Sequence, residues 1–250
     1  MQNLIGTLPL INTESVAGTT RIICKLFVFR HAETTDNARM MFSGWRDPRL
    51  TPKGFMQAQE VAEQLRDEKI NYAFTSHLSR ARKTLEIVLE AHPNVSVFID
   101  DRLIERCYGL LQGKSKRRIA RERPEYFAQV HRGYDFPPPE GESLRMVENR
   151  TLPFLNYLKE WLRQNPGNVA ISCHGNSMRP IRRVFENLSL KQMLQIENPQ
   201  DKAIAYALHC HEVCLEGAGI QTHRFRWRSV RVPKQIRLAT DTQNPLKKYY

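Results

Sequence analysis

Short apolar runs alternate along this 250-residue chain with segments whose apolar residues recur every three or four positions. Residues 22–29 (IICKLFVF) read as a buried strand, and so do 72–75, 95–99 and 169–173. After a Thr51-Pro52 start, Phe55, Ala58, Val61, Ala62 and Leu65 fall at helical spacing. Helices are also predicted over 79–91, 142–163 and about 177–187; Pro153 is expected to kink or break the second of these. Two late strands, 203–209 and 219–227, are expected to join through Gly217-Ala218-Gly219. Apolar strands separated by helices need cover on both faces. The expected fold is therefore α/β, a mostly parallel central sheet with helices on both faces.

This length suits one sizeable core. The expected organisation is an N-terminal arm over 1–21, a domain over 22–228 and a basic tail over 229–250. No apolar stretch approaches the roughly 20 residues of a membrane span, so no membrane partner is expected. The N-terminus has no cationic start and reads as an arm rather than a signal peptide. The five cysteines are then expected to be reduced thiols in the cytoplasm. The formal charge of +12 suits anionic partners. Much of it lies in 114–123 and in the last thirty residues or so, where solvated faces are an equally good account. The stretch 209–214 (HCHEVC) lacks zinc-ligand spacing, and alternation separates Cys210 from His209 and His211. No metal is expected.

Two places share one construction. Strand 22–29 stops at Arg30-His31, and strand 169–173 stops at His174-Gly175-Asn176. Ligand sites in open α/β sheets lie at the carboxyl ends of strands. If these strands are neighbours, two imidazoles and a guanidinium meet there. An imidazole can attack an electrophile, and arginine matches phosphate oxygens with a permanently charged fork. Those parts suit phosphoryl transfer.

The quoted motifs resemble those of the histidine phosphatase superfamily, in its cofactor-dependent phosphoglycerate mutase branch. Arg30-His31-Ala32-Glu33 stands for the family's Arg-His-Gly motif, and "FSGWRDPRLTPKG" (42–54), "TSHLSRARKT" (75–84), "LIERCYGLLQGKSK" (103–116), "HRGYDFPPP" (131–139) and "HGNSMR" (174–179) follow in order. Coverage is roughly 22–208. The resemblance implies His31 as nucleophile, Glu105 as proton donor and acceptor, and Arg30, Arg80 and His174 as groups that stabilise the moving charge. It also implies substrate contacts from Asn37, Ser43, Gly44, Arg106, Tyr108, Lys116, His131, Arg132, Gly175 and Asn176. The primer it implies is 2,3-bisphosphoglycerate, and the substrate a small phosphorylated compound. Nucleic acid is disfavoured, and a homo-oligomer is left open.

Three departures from the pattern bear on function. Ala32 replaces glycine, which is tolerated only at negative φ. His131 replaces the first of two arginines and is expected to titrate near neutrality, weakening substrate binding as pH rises from 6 to 8. The chain also runs almost directly from Pro139 to Glu142-Ser143, where long mutases carry a covering segment. Water at the phosphohistidine would give a phosphomonoesterase, the first rival reading. A basic, non-catalytic binding module is the rival of a different class.

Overall fold

The computed structural model describes residues 15–16, 19–217 and 220–232, with side chains described over 23–210 and 227–232. In chain order the strands are β1 (Ser15–Val16), β2 (Thr19–Arg30), β3 (Tyr72–Thr75), β4 (Ser96–Ile99), β5 (Val169–Cys173), β6 (Ala203–Gly217) and β7 (Ile220–Val232). The helices are α1 (Thr35–Ala38), α2 (Pro52–Leu65), α3 (Ser79–Leu89), α4 (Lys116–Glu122), α5 (Pro124–Arg132), α6 (Leu144–Gln164), α7 (Met178–Glu186) and α8 (Leu190–Gln195). The sheet order is β4-β3-β5-β2-β6-β7, with β1 paired to β2. Strands β4, β3, β5 and β2 run parallel, and β6 and β7 extend the sheet antiparallel. This is the expected α/β architecture.

Alternation along β2 builds two cores. Leu26 and Val28 face Phe154, Leu155, Leu158 and Leu162 of α6 together with Met178 and Ile181 of α7. Phe27 and Phe29 face Val61 and Leu65 of α2 with Leu85 and Val88 of α3. A fully buried strand of this kind must be apolar on both faces, which is why 22–29 reads as a continuous run.

Three local expectations need correction or extension. Helix α6 runs unbroken past Pro153, whose ring lies on the exposed side while Phe154 and Leu155 are buried. The segment 102–140, read only as polar and proline-rich, contains two 3₁₀ turns, α4 and α5. A third, small core holds it: Phe42, Tyr108, Leu111 and Val130. Strand β7 continues to Val232, so that Ser229–Val232 pair with Leu208–Ala205. The turn at Ala218-Gly219 lies outside the described residues, as do the side chains of His211 and Cys214. Cys210 is buried in the main core, on the face opposite the one alternation gives His209.

Candidate active site

Three parallel strands end side by side. The register pairs Arg30 with Cys173 and Ser172 with Thr75, so His31, His174 and Ser76 each follow directly on a neighbouring strand. The His31 and His174 rings lie 5.1 Å apart between centroids, tilted by 57°. Helix α3 begins just beyond β3 and places Arg80 in the same space. Its Nε donates to His31 Nε2 at 3.2 Å. Its other nitrogens donate to Arg46 O at 2.7 Å and Gly44 O at 2.8 Å, so a fully buried guanidinium is held from three sides. Gly44 sits at φ +54°, in the left-handed region, and a Cβ there would lie 2.1 Å from Gln112 Oε1. Ala32, in the glycine position, takes no positive φ, and its amide donates to Thr84 Oγ1 at 3.0 Å.

The protonation of His31 follows from its neighbours. Its Nδ1 lies 2.8 Å from Ala32 O, and a carbonyl can only accept, so Nδ1 carries the proton. The Nε2 lone pair faces Arg80. Burial, then the charges of Arg80 and Arg30, hold the His31 pKa well below its ordinary value. A neutral imidazole with a fixed tautomer is a ready nucleophile. His174 is likewise depressed by burial and by Arg80. Its Nε2 lies 2.8 Å from Ser76 Oγ, while its buried Nδ1 has no partner among the described residues.

Glu105 is buried beside both histidines. Its Oε1 accepts from Arg106 N at 2.7 Å, Asn176 N at 3.2 Å and Asn176 Nδ2 at 3.0 Å. Asn176 Nδ2 also reaches Tyr108 OH at 3.2 Å. The backbone carrying Glu105 is clamped by Arg150, which donates to Glu105 O at 3.1 Å and to Glu142 Oε1 at 2.9 Å. Trp45 adds an indole hydrogen bond to Glu105 O at 2.7 Å.

A cavity of about 370 Å³ opens over these groups. Arg30, His31, Asn37, Ser43, Gly44 and Arg80 line it, as do Glu105, Tyr108, Lys116, His131, Arg132, Gly175 and Asn176. Two residues singled out from the sequence do not. His174 lies fully buried beneath it, and Arg106 turns away to donate to Glu142 O at 2.6 Å and Phe136 O at 3.1 Å. Lys116 Nζ sits 5.4 Å from the centre of the Phe42 ring. His131 stacks on Phe127, 4.8 Å between centroids and 16° between planes. Burial, then Arg132, Lys116 and Arg106, push its pKa to about 4. The expectation that His131 titrates between pH 6 and 8 is therefore corrected for the free protein: burial, and then the charges of Arg132, Lys116 and Arg106, keep it neutral there.

The sequence reading missed Arg179, Glu197, Asn198 and Gln200, which also line the cavity. Asn198 Nδ2 donates to Gly175 O at 2.8 Å, and Arg30 NH1 donates to Asn198 O at 3.3 Å. Gln200 Nε2 donates to His31 O at 3.2 Å and Asn37 Oδ1 at 3.0 Å. Arg179 lay within the quoted "HGNSMR". The loop around 198 carried no periodic signal, only polarity at the correct edge of the sheet. Arg30 Nε and Arg179 Nε, both on cavity-lining residues, and His174 Nδ1 are buried nitrogens without hydrogen-bond partners among the described residues, and are free to meet an anion.

His31, Glu105 and His174 place ligand atoms within 4.8 Å of one another, the one such trio among the described residues. The two guanidinium groups of Arg30 and Arg80 share that space, and a dication there would meet their charge directly.

A sequence profile for the histidine phosphatase superfamily (branch 1) matches residues 26–214. The chain is 36% identical over 192 residues to the 2,3-bisphosphoglycerate-dependent phosphoglycerate mutase of Parvibaculum lavamentivorans, covering 73% of this chain and 90% of that one. It is 35% identical over 188 residues to the phosphoglycerate mutase of Schizosaccharomyces pombe, covering 73% and 89%. Among solved structures, the α-ribazole phosphatase of Shigella flexneri superposes with a TM-score of 0.65 at 24% identity, over 80% of this chain and 94% of that one. Two histidines at adjacent strand ends, a buried arginine bound to one of them and this run of matches along the chain have one explanation: the protein belongs to the histidine phosphatase superfamily.

Proposed function

We propose that this protein interconverts 3-phosphoglycerate and 2-phosphoglycerate, primed by 2,3-bisphosphoglycerate, through a phosphohistidine at His31. The observation that carries this reading is a second set of donors on the wall of the cavity that holds His31. Lys116, Arg132 and the neutral ring of His131 line it together with Arg30 and Arg80, and would receive a substrate carboxylate. A simple phosphomonoesterase has little need of them. The relatives named as phosphoglycerate mutases support the same reading.

In this mechanism His31 Nε2 attacks the phosphorus of the donor. The P–O bond breaks, and Glu105 delivers its proton to the departing oxygen. Arg30, Arg80 and His174 bear on the three phosphoryl oxygens as their charge develops. In the return step the Glu105 carboxylate takes the proton of the acceptor hydroxyl. That oxygen attacks phosphorus, the P–N bond breaks, and the electron pair returns to Nε2. Positive charge is supplied by guanidinium groups. A cytoplasmic setting suits these substrates.

A phosphomonoesterase acting through the same His31 is the second reading. It is favoured by the neutral His131 and by the short run from Pro139 to Ser143, which leaves less cover against water. A non-catalytic basic module would not need Arg30, His31, Arg80, Glu105 and His174 to converge. An enolase-coupled assay with 3-phosphoglycerate, with and without 2,3-bisphosphoglycerate, separates the enzyme readings when phosphate release is followed in parallel. The mutase reading expects 2-phosphoglycerate to form faster than phosphate, with a dependence on the primer. Phosphate release that outpaces it and ignores the primer would overturn that reading.

A further inference from the structure

Glu197 is a carboxylate on the wall of a cavity built for anions. The loop that carries it is anchored to the catalytic strand ends. Arg179 NH1 donates to Met193 O at 2.7 Å and Leu194 O at 3.0 Å, just before the loop. Arg182 NH1 then donates to Glu197 O at 2.9 Å and Asn198 Oδ1 at 3.0 Å. With Asn198 on Gly175 and Gln200 on His31, the backbone at 197 is held in register with the nucleophile.

Arg132, also on the cavity wall, ends α5, which rests on the small core around Phe42 rather than on the sheet. The two meet: Arg132 NH2 donates to Glu197 Oε1 at 2.5 Å. The side chains are 35% and 76% exposed, so the pair lies at the mouth and is open to exchange. A surface ion pair of this kind contributes little to folding. Its effect on a ligand is larger, because Arg132 is already engaged when the ligand arrives.

Resting on the mutase reading, we infer that Glu197 is a specificity-determining residue, a resident carboxylate that a substrate must displace from Arg132. A substrate whose tail carries its own carboxylate can take the place of Glu197. One with an uncharged tail has no means to do so and leaves the pair intact. The substrate class is thus a phosphoester bearing a second anionic group, and Glu197 sets how strongly that group is held. The nearby Arg30 also feels the Glu197 charge, so a second anion in the cavity meets repulsion from Glu197 as well as attraction from Arg132.

The test is a calorimetric titration of the whole protein with 3-phosphoglycerate and with glycerol 3-phosphate, before and after Glu197→Gln. Removing the resident charge is expected to tighten 3-phosphoglycerate by about three- to tenfold, the range of a modest like-charge interaction. Glycerol 3-phosphate should shift by less than about twofold by the same logic. In Arg132→Gln, the further change Glu197→Gln should give a clearly smaller gain, because only the direct repulsion is left to relieve once the Arg132 pair is gone. Loosening of the loop alone would weaken both ligands together. Equal shifts for both ligands, or none, would overturn the role of Glu197 and leave the mutase reading standing. Equal affinity of the unaltered protein for the two ligands would count against the mutase reading, while the comparison between variants still decides the role of Glu197.

Discussion

The surroundings of His31 fix both its tautomer and its charge. Nδ1 of His31 is committed to Ala32 O, and its Nε2 accepts from Arg80. Burial and two guanidinium groups keep the ring uncharged at neutral pH. His31→Ala is therefore expected to abolish turnover and to remove the acid-labile label left by a phosphoryl donor. A label that survives the substitution would assign the nucleophile elsewhere. Glu105 is held by three N–H donors on one oxygen, and Oε2 makes no hydrogen bond among the described residues. Glu105→Gln keeps much of that geometry and loses proton transfer. Turnover is expected to fall by ~10² to 10⁴, the usual contribution of a positioned acid–base group, with the melting temperature nearly unchanged. Steady-state rates alongside a thermal melt check both halves of the expectation.

At the scale of elements, the site depends on how the 103–143 connection is folded against itself. Gly109 sits at φ +49°, and a Cβ there would lie 2.0 Å from the backbone oxygen of Pro139. That oxygen also accepts from Leu110 N at 3.0 Å, which pins the proline run to the turn after Tyr108. A backbone atom cannot move aside as a side chain does. Gly109→Ala should destabilise the protein by about 1–3 kcal/mol, the cost of left-handed strain plus overpacking. Substrate affinity should fall with it, since Tyr108 and Lys116 flank that turn. Urea unfolding and a binding titration measure the two effects, and an unchanged midpoint would show that the turn relaxes freely.

Over the whole molecule, the buried neutral histidines tie stability to pH. His31, His131 and His174 all have pKa values depressed below the ordinary value near 6.5, His131 to about 4. The unfolded chain takes up protons on these rings before the folded one does. Stability should therefore be level above about pH 7 and fall as pH drops through 6.5, by at most about 1.4 kcal/mol per pH unit for each ring. Melting temperatures between pH 7.5 and 5 check this. A protein whose melting point rises on acidification would contradict the burial of these rings. The same three positions show what was legible beforehand. Burial of a strand on both faces writes itself as an uninterrupted apolar run, so 22–29 and 169–173 were readable, and with them the histidines at their ends. The depression of His131 was not readable, because its largest cause is burial, and Lys116 and Arg106 reach it only through the fold, Arg132 alone being its neighbour in sequence.

The sequence by itself determined the alternation of strands and helices, the parallel character of the sheet and the residues that meet at its carboxyl edge. Those features are local: hydrophobic period, strand ends and motif spacing are properties of consecutive residues. Tertiary structure alone decided that His174 lies under the cavity and that Arg106 turns away to bind Glu142 and Phe136 carbonyls. It also decided that Arg179, Glu197, Asn198 and Gln200 join the wall. Glu197 and Arg132 are 65 residues apart in the chain. Their ion pair forms where the loop after α8, tied to Gly175 O and His31 O through Asn198 and Gln200, meets α5, which rests on the small core around Phe42. No periodicity records such a meeting, since it depends on how two distant segments are packed.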